Sequence, residues 1–148
     1  MYTCSHFKIE ELVPPEILLA YGQGAWSLLT DPIKQTADMI REYFGSPMHI
    51  NRPPLQKYRG YRTPACPEWA PGSQHSIGNA IDFDIDTLTP EYIRRVILNN
   101  QSHPSFALIG GLEDFPGMHW VHVDCRARIA GQIVVFSNKK IGGLNGTS

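Results

Sequence analysis

Two stretches of this chain hold residue types that could do chemistry together. One runs Ser73-Gln74-His75-Ser76-Ile77-Gly78-Asn79-Ala80-Ile81-Asp82, and a later one runs His119-Trp120-Val121-His122-Val123-Asp124. A lone histidine near an aspartate is an ordinary surface pair. Two histidines and an aspartate in strand-like stretches, flanked by small or apolar residues, suggest more. Residues 81–86 alternate Ile, Asp, Phe, Asp, Ile, Asp, and period-two alternation places the apolar residues on one sheet face and the three carboxylates on the other. In the later stretch Val121 and Val123 take one face, while Trp120, His122 and Asp124 take the other. If the two strands lie near each other in one sheet, Asp82 and His122 converge, and His75 reaches them from the preceding turn. Gly78 lets the chain bend there and Ala80 keeps the backbone close. Two imidazoles and one carboxylate form a zinc set with a fourth position open for water, the arrangement of a catalytic rather than a structural site.

The pattern Ser-x-His-x-x-Gly-x-Ala-x-Asp, followed by a Trp-x-His strand, resembles the M15 peptidases. These are zinc D-Ala-D-Ala carboxypeptidases and peptidoglycan endopeptidases of the hedgehog/DD-peptidase fold. Gly60-Tyr61-Arg62-Thr63-Pro64 adds to the likeness, which spans residues 50–126. The ten-residue His/Asp motif is its most specific part. The resemblance implies Zn2+ on His75, Asp82 and His122, and hydrolysis of an amide bond in a peptidoglycan stem peptide. It implies that Arg62 approaches the substrate and stabilises the charge of the tetrahedral intermediate, a task suited to a permanently charged fork. Arg59, two positions earlier, competes as a solvated loop arginine. Ser73 either orients the metal site, binds substrate or serves as a turn residue. Many members carry a glutamate as general base three residues before the last zinc histidine; here that place is His119. His119 is therefore the expected base, since a histidine can serve near neutral pH. Asp124 is the fallback, with orientation of His122 as its other role. Glu113, placed in a turn over 113–117, is a third candidate.

Two other function classes stay open. One is a zinc-binding structural or binding module of the same fold that has lost catalysis, favoured by the missing glutamate. The other is a metal hydrolase of a different bond. The chain's small size resembles phage or prophage lysins and virion-associated wall hydrolases; a cytoplasmic dipeptidase is a further possibility.

Composition narrows the field. A length of 148 residues suits one domain over 1–148, and 42% hydrophobic with 18% charged residues suits a soluble globular protein. A net charge of -1 argues against general nucleic-acid binding. Cys4, Cys66 and Cys125 are odd in number and scattered, hence expected to be reduced rather than a disulfide framework or zinc site. The start lacks a basic segment followed by an apolar run, so no signal peptide is expected, and no stretch has the length of a membrane span. A cytoplasmic chain, unless something else exports it, and a monomer are the expectations.

The elements that must position the site read as follows. Pro14-Pro15 opens a helix over 16–21, and Trp26, Leu28 and Leu29 are core anchors. Asp31 as N-cap and Pro32 at the first position start a helix stopped by Gly45, with Ile33, Ala37, Ile40, Tyr43 and Phe44 along its apolar face. A short strand follows over 48–51, where His49 is incidental. Residues 55–72 read as a loop leading into the site. Thr89 and Pro90 start another helix, with Ile93, Val96 and Ile97 buried, Arg94 and Arg95 pointing outward, and Asn99-Asn100 closing it. Residues 106–109 form a buried strand ended by Gly110-Gly111, 132–136 form the last strand, and 142–148 a frayed tail. The expected fold is α+β: an antiparallel sheet with the zinc site on one face and helices packed on the other.

Overall fold

The computed structural model describes residues 1–138; the tail expected over 142–148 lies outside them. Three α-helices accompany a five-stranded sheet: α1 (Pro15–Tyr21), α2 (Asp31–Phe44), β1 (Met48–His49), β2 (Ala80–Ile85), α3 (Pro90–Asn99), β3 (Gly111–Glu113), β4 (Val121–Asp124) and β5 (Val134–Phe136). The sheet order is β1-β2-β4-β3-β5. The α+β class holds, but the sheet is mixed. The pairs β1–β2, β2–β4 and β4–β3 are antiparallel, whereas β5 runs parallel to β3.

Alternation divides the two faces as the sequence requires. Ile81, Phe83, Ile85, Leu112, Val121 and Val123 enter one core cluster with Ile33, Ala37 and Ile40 of α2 and Ile93 and Ile97 of α3. The opposite face carries two cross-strand rows. Asp82, His122, Glu113 and Phe136 are register partners across β2, β4, β3 and β5; Ala80, Asp124, Gly111 and Val134 form the next row.

Several expectations shift, each for a local reason. The cap of α2 is Thr30, not Asp31: its hydroxyl accepts the Ile33 amide at 3.4 Å and donates to Asn79 Oδ1 at 2.7 Å. Residues 106–109 are not a strand. Pro104–Phe106 is a 3-10 turn, and Phe106 and Ile109 reach full burial from turn conformations. The glycines expected to end that strand instead open β3: Gly110 donates to the Asp124 carbonyl at 2.8 Å and Gly111 pairs with Asp124. Glu113 consequently sits inside a strand rather than in a turn. Arg94 is buried instead of solvated, donating from Nη1 to the Trp120 carbonyl at 2.8 Å and pairing through Nε with Asp114 at 3.3 Å.

The long loop before the His motif is pinned rather than free. Asn51 donates to the Val13 carbonyl at 3.1 Å and accepts the Arg59 amide at 2.8 Å. Arg59 in turn accepts the Asp82 amide at 2.7 Å, and Tyr61 donates to the Leu12 carbonyl at 2.9 Å. On the far side, Gly78 occupies the left-handed region at φ +71, and a Cβ there would overlap the Leu28 carbonyl. Its own carbonyl accepts the Thr30 amide at 2.9 Å. This contact seats the turn between His75 and Asp82 against the start of α2. Gly78→Ala should therefore lower unfolding stability by at least about 2 kcal/mol, from the strained φ and the clash together. Urea denaturation measures this, and a loss below about 0.5 kcal/mol would remove Gly78 from its seating role.

Candidate metal centre

Each residue of the cluster is delivered by a different backbone device. Asp82 comes from the second strand and His122 from the fourth, directly across the ladder. His75 comes from the turn, where the Ser73 hydroxyl accepts the His75 amide at 3.1 Å and Arg62 donates its amide to the His75 carbonyl at 3.2 Å. The result is a buried triangle. His75 Nε2 lies 3.1 Å from Asp82 Oδ1, His122 Nδ1 lies 2.9 Å from the same oxygen, and the two nitrogens are 3.2 Å apart. Among the described residues these three form the group of ligand atoms able to share one ion. Zinc bonds of about 2.0–2.1 Å in tetrahedral array imply edges of roughly 3.3 Å. The donor set fits after an expansion of a few tenths of an ångström.

The tautomers fit as well. His75 Nδ1 must donate to the Gly60 carbonyl at 2.8 Å, because a carbonyl only accepts, so Nε2 turns a lone pair toward the cluster. His122 Nε2 donates to Asp124 Oδ2 at 2.9 Å, which leaves Nδ1 for the cluster. Metal-binding histidines are commonly oriented this way by a carbonyl or carboxylate on the other nitrogen. Asp124 is fully buried and is held by Arg126, whose Nε and Nη2 each donate to one of its oxygens at 2.7 Å.

The electrostatics follow from who faces whom. Burial acts against ionised Asp82, but the two histidines outweigh it and hold that carboxyl well below its ordinary range. Burial pushes His75 down. It would push His122 down too, yet the hydrogen bonds to Asp124 and Asp82 prevail and lift it to about 9. Burial works to raise Asp124, but its bonds with His122 and Arg126 take it down to about 2. Glu113 is raised, chiefly by burial and secondarily by the Asp82 charge, with His122 and Arg62 pulling the other way.

The sequence candidates separate clearly. His75, Asp82 and His122 meet. Arg62 is buried beside them: Nη2 donates to Asp82 Oδ2 at 3.1 Å and Nε to the Tyr58 carbonyl at 2.9 Å. Its competitor Arg59 instead pairs with Asp84 at 2.7 Å. Ser73 is buried in the turn, bonded to the His75 backbone. Asp124 stands behind His122, on the nitrogen remote from the triangle. His119 stands apart: it is exposed, precedes β4, and sets its ring edge-on to Trp120 at 5.9 Å. Among the described residues no hydrogen bond or ion pair ties it to the three. Glu113 is the carboxylate that the ladder places beside His122. Arg126 and Phe136 were not singled out from the sequence. The alternation His122, Asp124, Arg126 would have been the signal for the arginine.

Proton and metal compete for His122 Nδ1. Below about 9 that nitrogen holds a proton unless a metal displaces it. Loading with Zn2+ at pH 7 should thus release about one proton, and affinity should fall about tenfold per unit as the pH is lowered. Calorimetry in two buffers of different ionisation enthalpy reads both, and binding without proton release would contradict the assignment.

No family model, curated protein or solved structure matches the chain, and the functional reading rests on these residues.

Proposed function

We propose that this chain is a zinc-dependent peptidase acting on peptidoglycan stem peptides. The observation that carries the proposal is the buried triangle of His75 Nε2, Asp82 Oδ1 and His122 Nδ1, with edges of 2.9–3.2 Å. Two imidazoles and one carboxylate suit zinc and leave a coordination position for chemistry. The substrate class is supported by the motif running from Ser73 to Asp82 and by Trp120-x-His122, which resemble the wall peptidases of the M15 type. A phage or prophage lysin is the context that this resemblance supports.

When bound, zinc would supply Lewis acidity to the scissile carbonyl and bring the pKa of a water toward ~7. The chain's own groups do the rest. In amide hydrolysis a carbon–oxygen bond forms to water, the carbon–nitrogen bond breaks, and one proton passes from water to the leaving amine. Glu113 is the best-placed carrier of that proton. It is buried, shares the sheet face of Asp82 and His122, and is the register partner of His122. Directly opposed residues on one face stand with Cβ atoms about 4.5–5.5 Å apart. Its raised affinity for a proton moves it toward the working pH, as a general base requires. Asp124 is unsuited to the task because Arg126 and His122 engage both oxygens. Arg62, bonded to Asp82, brings a fixed positive charge to the metal site, which would stabilise the carbonyl oxygen as it becomes negative.

The alternative of a zinc module without catalysis drew on the absence of glutamate at position 119. Glu113, the register partner of His122 on the neighbouring strand, supports the catalytic reading over that alternative.

Glu113→Gln should keep one zinc per chain and lose about 10²- to 10⁴-fold in release of wall peptides, while His119→Ala stays within severalfold of the parent. Zinc analysis beside digestion of purified peptidoglycan decides this. A dead His119→Ala with an active Glu113→Gln would return the base to position 119. A zinc-loaded parent that cuts no wall chemotype would end the peptidase reading.

A further inference from the structure

Beyond the triangle, a second group of contacts surrounds the imidazole of His122. We propose that Arg126 is a positioning residue of the metal centre, clamping Asp124 so that His122 keeps its proton on Nε2 and offers Nδ1 to the metal. The proposal rests on the metal-binding part of the reading above and not on the bond that is cut.

Asp124 is fully buried. A buried carboxylate persists as an ion only where its oxygens are paired. Here the guanidinium meets it through two parallel bonds, Nε to Oδ1 and Nη2 to Oδ2, both 2.7 Å, and the Arg126 amide adds a third to Oδ1 at 3.2 Å. A two-pronged contact fixes the plane of the carboxylate as well as its place. With that plane fixed, Oδ2 faces His122 Nε2 at 2.9 Å. The imidazole is thereby restrained in both rotation and tautomer.

The clamp is itself held from two sides. The guanidinium carbon lies 4.3 Å from the ring centre of Phe136, which also meets the His122 ring nearly edge-on at 5.6 Å. Phe136 belongs to the parallel edge strand, so this strand contributes to the site through an arginine that it stacks against. The other side is a glycine. Gly111 is the register partner of Asp124, and a Cβ there would approach both carboxylate oxygens and Arg126 Nε more closely than 3.0 Å. The absent side chain at position 111 is what gives the clamp its room.

The test uses the full chain loaded with Zn2+. Arg126→Ala and Gly111→Ala should each weaken zinc binding about 10- to 100-fold in chelator competition, with Arg126→Lys intermediate because an ammonium cannot form the fork. Nitrogen-15 spectra of the zinc-loaded parent should show a slowly exchanging Nε2–H on His122, and Arg126→Ala should lose it. A thermal melt identifies any variant that fails to fold, and the arginine and glycine variants check one another. Zinc binding within twofold of the parent in Arg126→Ala, with the Nε2–H intact, would overturn the proposal. A parent that takes up no zinc would overturn it together with the metal reading. A parent that binds zinc yet cuts no wall peptide would end the peptidase reading alone, because neither readout here depends on turnover.

Discussion

The site depends on one constraint: a carboxylate, Asp82, is ionised where almost no water reaches it. Its relative exposure is 5%, and both histidines beside it are fully buried. Such an arrangement is stable only when every lone pair and proton has a partner. Oδ1 accepts from His122 Nδ1 and stands 3.1 Å from the His75 Nε2 lone pair, the gap a cation would fill, and Oδ2 accepts from Arg62. The remaining imidazole nitrogens take the Gly60 carbonyl and Asp124. Among the described residues no buried side-chain nitrogen or oxygen lacks a hydrogen bond. Much of the local architecture can be understood as supplying these partners. The loop carrying Gly60 and Arg62 is tied to the second strand, to Asn51 and to the Leu12 carbonyl because both residues must arrive at fixed points.

What the sequence made legible was what alternation encodes. Ile81, Phe83, Val121 and Val123 face the core, and Asp82 and His122 face the site, because period two in a half-buried strand leaves little choice. The glycine, alanine and histidine spacing in the turn was legible for a related reason, since the bend between His75 and Asp82 needs a residue at positive φ. The specific family and its fold remain at the level of resemblance, and what the structure supports is the coarser α+β class.

The less legible parts share a different cause. Glu113 becomes relevant through pairing between strands, which a linear sequence does not contain; Arg126 stands just past the fourth strand, two residues after Asp124, where only the continued alternation points to it. A pair of glycines ordinarily signals a strand end, and Gly110-Gly111 read that way. Here the missing side chain at 111 serves a neighbouring carboxylate and the strand continues to Glu113. The same blindness applied to Arg94. Helical periodicity put it outside, but the segment between the third and fourth strands folds over it and offers the Trp120 carbonyl and Asp114. His119 was chosen by its distance along the chain from His122, and distance along the chain does not specify a face once the residue lies outside the strand.

The charge pattern around His122 is compatible with a cation at the triangle as well as with an ion-pair network. Asp82, Asp124 and Glu113 bring three carboxylates to the face; Arg62 and Arg126 bring two guanidiniums, each committed to a carboxylate. Guanidiniums do not give up their protons, so they cannot adjust. The adjustable positive charge is that of the doubly protonated His122 ring, which faces Asp82 through Nδ1 and Asp124 through Nε2 and is retained up to about 9. A divalent cation in place of the Nδ1 proton could be held by Asp82 and by His75, whose lone pair a single proton between Asp82 and His122 leaves without a full bond. The network thus holds a proton at the point where a metal would bind and draws positive charge to that point. The bonds to Gly60, Arg62 and Asp124 involve the nitrogens and the oxygen that face away from the triangle, so a cation replacing the proton would not have to break them. The surrounding partners are therefore complete without an ion and would remain so with one.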